Sequence, residues 1–214
     1  MTDKNAAHIS PKVLPYAWVI LFAAYLASVM APLNQFKVPP IMPVLLSTFH
    51  IDLTQAGLLM SSIALVGLIL SLPAGIILQR LGHKASGLIA VGFIALGSAV
   101  GALSGSFNML LLSRVIEGVG VGLISVVAPA TISRWFPPEK QGTPMGLWAT
   151  WVPVGTVVMY NVAPGLTAVY GWHAVWWFGT IVAFVTMVIF AALMRKPPYD
   201  AQSDAAHAAP LDLR

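Results

Sequence analysis

The segment Gly75-Ile-Ile-Leu-Gln79-Arg80-Leu-Gly82-His83-Lys84 lies between two long apolar stretches and decides the fold. Its glycines and basic residues are typical of a short turn. Each flanking stretch is close to the roughly 20 residues that a membrane-spanning helix needs. The segment therefore predicts a turn that joins two membrane-spanning helices.

The composition is that of a membrane protein. Hydrophobic residues make up 58% of the 214-residue chain and charged residues only 8%, whereas soluble domains carry about 25% charged residues. The formal net charge of +4 is small, and no stripe of basic and aromatic residues indicates nucleic-acid binding. The chain has no Cys, which excludes disulfides, a thiol nucleophile and a Cys-based metal site.

Six apolar stretches are each close to the length of a spanning helix, which predicts an all-α membrane protein with six transmembrane helices. The predicted spans cover residues 16–44, 54–79, 85–104, 108–134, 142–167 and 172–195. Residues 1–15 are then an N-terminal tail and 16–195 the membrane domain. Residues 196–214 form a polar tail that is predicted to be disordered.

The start of the membrane domain leaves two questions open. Because Pro39, Pro40 and Pro43 lie near the end of the first stretch, it is either one kinked helix or a helix that ends near Lys37 before a loop. The apolar run from position 16 to 31 also resembles a secretory signal. It is longer than a signal core, and a proline would follow the cut, so an uncleaved first span is expected.

The basic residues predict the orientation in the membrane. Nine of them fall on one side of a six-span arrangement, against Lys37 alone on the other side. The nine are Lys4, Lys12, Arg80, Lys84, Arg134, Lys140, Arg195, Lys196 and Arg214. The positive-inside rule then places both termini in the cytoplasm, with the chain in the plasma or inner membrane.

Two patterns predict how the spans pack and where they end. Small residues recur every four positions, which lets helix backbones approach closely in lipid. These are Gly67, Ser71 and Gly75, then Gly97, Gly101 and Gly105, and finally Gly118 and Gly122. Tryptophans near the span ends are expected at the membrane interface. These are Trp18, Trp135, Trp172, Trp176 and Trp177.

Three ionisable residues lie at membrane depth in this arrangement, namely Lys37, Arg114 and Glu117. A charge at the bilayer centre costs roughly 2.5–3.5 kcal/mol on insertion scales, so each needs a partner or water. Arg114 and Glu117 are three residues apart and share a helix face. They are either a self-neutralising pair that stabilises the helix, or groups that gate the protein or couple its substrate to protons.

Lys37 belongs to a polar cluster with Asn34 and Gln35 in an otherwise apolar span. In one interpretation its side chain faces inward, where a desolvated ammonium attracts a small anion. The substrate-binding candidates are then Asn34, Gln35, Lys37 and Arg114. In the other interpretation Lys37 lies near a helix end and extends outward to the membrane surface.

No pattern typical of an enzyme or a metal site is present. His50, His83 and His173 lie in predicted connectors without ligand spacing. A six-span rhomboid-type protease needs Gly-x-Ser-Gly and a His in span six, whereas residues 102–105 read Ala-Leu-Ser-Gly and 175–194 hold no His. A phosphate-binding Gly-x-x-x-x-Gly-Lys-Ser/Thr loop is also missing. No cofactor, no metal and no use of ATP are expected.

The basic turn resembles the loop 2–3 signature of the major facilitator superfamily, Gly-x-x-x-Asp-Arg/Lys-x-Gly-Arg-Arg/Lys. The matching residues are Gly75, Arg80, Gly82 and Lys84. Gln79 replaces the Asp and His83 replaces a basic residue. The resemblance makes the four matching residues candidates for coupling or gating, although the missing Asp removes a charge contact of the signature.

Other motifs extend the resemblance over most of the chain. Residues 113–118, Ser-Arg-Val-Ile-Glu-Gly, resemble the superfamily's span-four motif Arg-x-x-x-Gly, which makes Arg114 and Glu117 coupling candidates. Residues 134–138 resemble its connector between spans four and five. Residues 34–36 and 146–155 are similar to the prokaryotic cyanate/nitrate-type permease branch. The Gly-Pro-x-x-Gly-Gly signature of drug antiporters is missing, which disfavours drug export.

The resemblance implies transport of a small solute by alternating access, without enzymatic activity. Members have twelve spans in two halves, each a 3+3 inverted repeat with the site at the interface of the halves, and this chain resembles the first half. The expected partners are the lipid bilayer, a small-molecule substrate, and a second six-span half or another copy of the chain. The alternative is a truncated fragment or membrane assembly partner that does not transport.

Overall fold

A computed structural model describes residues 13–195, which form an all-helical bundle. The helices are α1 (Pro15–Gln35), α2 (Met42–Phe49), α3 (Leu53–Ala102), α4 (Phe107–Trp135), α5 (Gly142–Ala149), α6 (Trp151–Tyr170) and α7 (His173–Leu193). Short 3-10 turns at Pro39–Ile41 and Pro138–Lys140 precede α2 and α5. The predicted tail 196–214 and most of the N-terminal tail lie outside the described residues.

Five stretches of the described chain are long and apolar enough to cross a membrane. They are Pro15–Phe49, Leu53–Ala102, Phe107–Trp135, Gly142–Tyr170 and His173–Leu193. The count differs from the six predicted stretches because the second and third merge into the 50 residues of α3. The predicted span 142–167 is also interrupted, since α5 ends at Ala149 and α6 begins at Trp151.

α3 folds back on itself at Gly82, where φ is 77° and ψ is 169°. Both arms of α3 pack against the same turns of α4. A β-carbon on Gly118 would lie 2.8 Å from the Val66 side chain, and one on Gly120 would lie 2.6 Å from the Ile94 side chain. Residues of the two arms thus meet one short stretch of α4, which requires the arms to run side by side.

The predicted turn between spans 54–79 and 85–104 is confirmed in place but is shorter than predicted. The backbone is helical throughout 75–84 except at Gly82. Gly75 lies within a helical turn, and no other atom lies within 4 Å of the position that its β-carbon would take. Arg80 and Lys84 are exposed on helical turns beside the break. One glycine is sufficient for the reversal because its backbone conformation is essentially restricted to glycine.

We expect Gly82→Ala to lower the free energy of unfolding by about 1–3 kcal/mol, because a β-carbon is strained in this conformation. Gly75→Ala is the matched control and is expected to raise stability by up to about 1 kcal/mol through helix propensity. Unfolding by SDS from mixed micelles, followed by circular dichroism, measures both. Equal stability of the two variants would contradict the special backbone at Gly82.

α1 ends at Gln35, and the chain turns before α2 begins. Of the two sequence interpretations, the structure shows the helix that ends near Lys37, followed by a 3-10 turn and a second helix rather than by a loop alone. Pro39 begins the 3-10 turn and Pro43 lies in the first turn of α2. These are positions where a missing N–H is tolerated.

Glycines line the contact between α3 and α4. A β-carbon on Gly122 would lie 2.5 Å from the Gly67 carbonyl oxygen, and one on Gly97 would lie 2.6 Å from the backbone of α4. In contrast, Gly75 and Gly105 have nothing within 4 Å of that position. The predicted small-residue faces are therefore helix contacts over only part of their length.

The exposed basic residues of the described chain collect at one end of the bundle, which we call the basic end. His83 beside the α3 break and Arg134 of α4 line one cleft of about 510 Å³. The Arg195 guanidinium carbon lies 4.6 Å from the centre of the Tyr16 ring, which packs against Trp135. The residues at this end are Arg80, Lys84, Arg134, Lys140 and Arg195.

Three tryptophans expected at the membrane interface lie instead inside the bundle. Trp135 and Trp172 are each 5% exposed and Trp176 is fully buried, whereas Trp18 and Trp177 are exposed. The first three therefore do not face lipid, because closeness to a span end says nothing about which face of the helix a residue occupies.

Candidate functional site

The break after α1 places Lys37 inside the bundle. Its side chain is fully buried. Its Nζ donates to Glu117 Oε1 at 2.5 Å and to Ser98 Oγ at 2.9 Å. The same atom lies 5.0 Å from the centre of the Trp176 ring, which is a cation–π distance. The side chain of Lys37 therefore faces inward, as the first interpretation predicted. It does not extend outward to the membrane surface.

Arg114 is the second buried cation, and it holds the end of α1. Its Nη1 donates to the Asn34 carbonyl at 2.8 Å and its Nη2 to the Gln35 carbonyl at 2.7 Å. Its Nε donates to the Leu59 carbonyl of α3 at 3.1 Å. The last carbonyls of a helix lack helical partners, and a cation is favourable beside them. Arg114 thus supplies the hydrogen bonds that α1 loses where it ends.

Glu117 joins the two cations. One carboxylate oxygen accepts from Lys37, and the other accepts from Nη1 of Arg114. All three side chains are fully buried. Two positive charges and one negative charge give this buried cluster a formal net charge of +1. The shared helix face predicted for Arg114 and Glu117 is confirmed, whereas their connection to Lys37 was not foreseen.

Sequence reasoning missed two residues of the cluster, Ser98 and Trp176. The Ser98 hydroxyl accepts from Lys37 and donates to the Trp176 carbonyl at 2.7 Å, which connects α3 to α7. Both residues are fully buried. Ser98 directly follows Gly97 of a small-residue face, so a polar residue beside a close helix contact was a usable signal. Trp176 had been expected at the membrane interface.

Asn34 brings an unpaired acceptor to the same place. Its Nδ2 donates to the Met30 carbonyl at 2.8 Å, whereas its buried Oδ1 has no hydrogen-bond partner among the described residues. A β-carbon on Gly179 of α7 would lie within 3.3 Å of Asn34 Oδ1, Ser98 Oγ and Lys37 Nζ. These three polar atoms therefore converge on one glycine. Gln35 contributes its carbonyl to Arg114, and its side chain is partly buried.

Comparison with known proteins assigns the family. The model of the Major Facilitator Superfamily matches residues 18–213. The chain belongs to this superfamily. Membership and the apolar helices together make it a multi-pass membrane protein. Within residues 13–195, no group of three or more His, Asp or Glu could hold a metal ion.

Relatives of this superfamily chain include two named bacterial transporters. The hexuronate transporter of Bacillus subtilis (strain 168) is 24% identical over 187 residues, which cover 87% of this chain and 44% of the relative. The nitrate/nitrite transporter of Picosynechococcus sp. is 27% identical over 149 residues, which cover 68% of this chain and 26% of the relative. The chain thus spans less than half the length of either relative.

The fold of the superfamily is also seen in a solved structure, that of a D-xylose-proton symporter. It aligns with a TM-score of 0.74 at 18% sequence identity, over 90% of this chain and 52% of that chain. At this identity the likeness shows the fold alone. The described helices therefore have the arrangement of about half of a superfamily member.

The buried cluster lies near the end of the bundle opposite the basic end. Its residues and contacts come early in three helices: Leu59 is six residues after the start of α3, Arg114 is seven after the start of α4, and Trp176 is three after the start of α7. At about 1.5 Å per residue, these are depths of about 5–10 Å along each helix.

The loop 2–3 candidates lie far from the cluster. Gly75, Arg80, Gly82 and Lys84 surround the α3 break at the basic end, so the structure does not bring them together with the buried charges. The candidates from α1 and α4, in contrast, meet in one place. The predicted sites therefore separate into a buried charged cluster and a basic end.

Proposed function

We propose that this chain is the first half of a secondary carrier that moves a small anion by alternating access, without ATP and without an enzymatic step. The observation that carries the proposal is the net charge of +1 on the fully buried cluster of Lys37, Arg114 and Glu117. An uncompensated buried charge is strongly destabilising. A bound anion removes the imbalance, so the cluster is suited to bind one.

Within this proposal, Lys37 binds the anion and Arg114 positions the site. Four of the five N–H groups of Arg114 donate to three backbone carbonyls and to Glu117. Lys37 has two hydrogen-bond partners for its three N–H groups. Two of the relatives are named for anions, hexuronate and nitrate or nitrite, and others for the neutral solute myo-inositol, so the preference for an anion rests on the buried charge.

We also propose six membrane spans, with residues 53–81 and 83–102 of α3 as separate spans. A straight helix of 50 residues would be about 75 Å long, more than twice the hydrocarbon core of about 30 Å.

The positive-inside rule favours a cytoplasmic basic end, and with it two cytoplasmic termini in the plasma membrane. The carrier would be completed by a second six-span half, which is itself a 3+3 inverted repeat. This half could be fused to the chain, be a separate protein, or be another copy of the chain.

Uptake of labelled solutes by cells that express the chain with a second six-span half tests the proposal. We expect uptake of nitrate or glucuronate but not of neutral xylose. Lys37→Ala is expected to reduce anion uptake at least tenfold, which is about 1.4 kcal/mol, and Arg114→Ala should reduce it through loss of the site geometry. Lys140→Ala, at an exposed position of the basic end, is the control and should leave uptake unchanged.

Two outcomes would contradict the proposal. Unchanged anion uptake in both Lys37→Ala and Arg114→Ala would show that the buried cluster does not bind the substrate. Absence of uptake of every solute, with the chain present in the membrane, would favour the alternative of an assembly partner that does not transport.

A further inference from the structure

The bond between Lys37 and Glu117 can open without leaving the carboxylate unpaired. Glu117 uses one oxygen for each cation, and Arg114 lies three residues away on the same helix. A rotation of the Glu117 side chain therefore releases Lys37 and keeps Arg114. After this release Lys37 still donates to Ser98 and still lies beside the Trp176 ring.

Asn34 adds a second requirement for any anion that takes the place of Glu117. Its Nδ2 is held on the Met30 carbonyl, and a flipped amide would turn Oδ1 towards that carbonyl, so the orientation of the amide is set. Oδ1 is then a buried acceptor without a donor in the described chain. An unsatisfied buried acceptor costs about 1–3 kcal/mol, and a ligand with an O–H group would remove that cost.

We infer that the substrate exchanges with the Glu117 carboxylate on Lys37, and that it is an organic anion with a hydroxyl group, such as a hydroxy acid. Its carboxylate accepts from Lys37 Nζ and its hydroxyl donates to Asn34 Oδ1, since both atoms border Gly179. The inference rests on the proposed anion transport. The site is closed in the described conformation, so the anion enters the space that Glu117 leaves.

The exchange balances the charge of the cluster. With one monovalent anion on Lys37 and Glu117 on Arg114, two cations face two anions and the formal charge becomes zero. Gly179 allows α7 to lie close to Lys37 and Ser98, because a methyl group there would lie 2.8 Å from Ser98 Oγ and 3.3 Å from Lys37 Nζ. Within this inference Asn34 selects the hydroxyl group, whereas Gly179 affects both kinds of acid alike.

Competition between glycolate and acetate tests the inference, because the two acids carry the same charge and differ by one hydroxyl group. Each is added unlabelled to the uptake assay described above, with a labelled anion as reporter. We expect glycolate to inhibit at a concentration at least tenfold lower than acetate. Asn34→Leu, which keeps the size but removes the acceptor, should abolish this difference.

Three variants extend the test. Glu117→Gln is expected to lower the inhibitory concentration of both acids about tenfold, because a neutral amide competes less for Lys37. Gly179→Ala should weaken both acids at least tenfold. Gly165→Ala, where nothing lies within 4 Å of the added carbon, is the matched control and should change neither.

Each outcome has one meaning. Equal inhibition by acetate and glycolate in the unaltered chain would overturn the role of Asn34 and leave anion transport standing. Unchanged affinities in Glu117→Gln would overturn the exchange with Glu117. Absence of uptake of any labelled anion would overturn the proposed function itself.

Discussion

Glu117→Leu is expected to lower the free energy of unfolding by about 3–5 kcal/mol. The substitution leaves Lys37 and Arg114 fully buried without their shared carboxylate, and breaking a buried ion pair by removing one partner has a cost of this size. Unfolding by SDS from mixed micelles measures it. Glu139→Leu is the matched control, because Glu139 is exposed and such substitutions usually change stability by less than about 0.5 kcal/mol.

A double substitution separates electrostatics from packing. In Lys37→Met with Glu117→Leu, one buried cation remains unpaired instead of two, so the double variant should be more stable than Glu117→Leu alone. The two single effects should therefore not add, as is usual for residues of one network. Strict additivity, or an effect of Glu117→Leu no larger than that of Glu139→Leu, would contradict the ion-pair cluster.

Gly122→Val is expected to lower stability by about 3 kcal/mol, at the top of the range for overpacking. An added β-carbon would lie 2.5 Å from the Gly67 carbonyl oxygen and 3.0 Å from its Cα. Both atoms belong to the backbone, so the contact cannot be relieved by a rotamer change and α3 must move away from α4. Uptake of anions should fall as well, since α4 carries Arg114 and Glu117.

Gly165→Val provides the comparison for Gly122→Val, because no atom lies within 4 Å of the β-carbon position at Gly165. The same SDS titration measures both. Similar stability of the two variants would show that the close approach of α3 and α4 at Gly122 does not exist in the membrane. A large loss confined to Gly122→Val is the expected result.

Helices were predictable from the sequence where apolar residues form an uninterrupted stretch. The predicted spans 108–134 and 172–195 correspond to Phe107–Trp135 and His173–Leu193, because hydropathy and turn residues are local properties. The reversal of α3 at Gly82 was expected as a loop, since glycine and basic residues do not reveal whether the flanking turns stay helical. The break at residue 150, between α5 and α6, lies where Pro153 lacks the N–H that would bond to the Ala149 carbonyl, a signal that the sequence analysis did not use.

The charged cluster was predictable only in part. Lys37, Arg114 and Glu117 were identified because charges at membrane depth are rare, and the pairing within α4 followed from helical spacing. The contacts of Lys37 depend on residues 61 and 80 positions away, so only the packing of the helices brings them together. The Oδ1 atom of Asn34 is unpaired because α1 ends beside it and Gly179 of α7 packs against it. Neither feature can be read from a local sequence pattern.

The distance along the chain between Lys37 and Glu117 also sets an order on biosynthesis. Glu117 follows Lys37 by 80 residues, which ribosomes synthesise in about 4–16 s at about 5–20 residues per second. During this time the lysine has no carboxylate, and its aliphatic stem allows the ammonium to reach the lipid headgroups next to the end of α1. Arg114 and Glu117 enter the bilayer as a neutral pair on one turn. The first helix is therefore expected to reach its final depth only after α4 has left the ribosome.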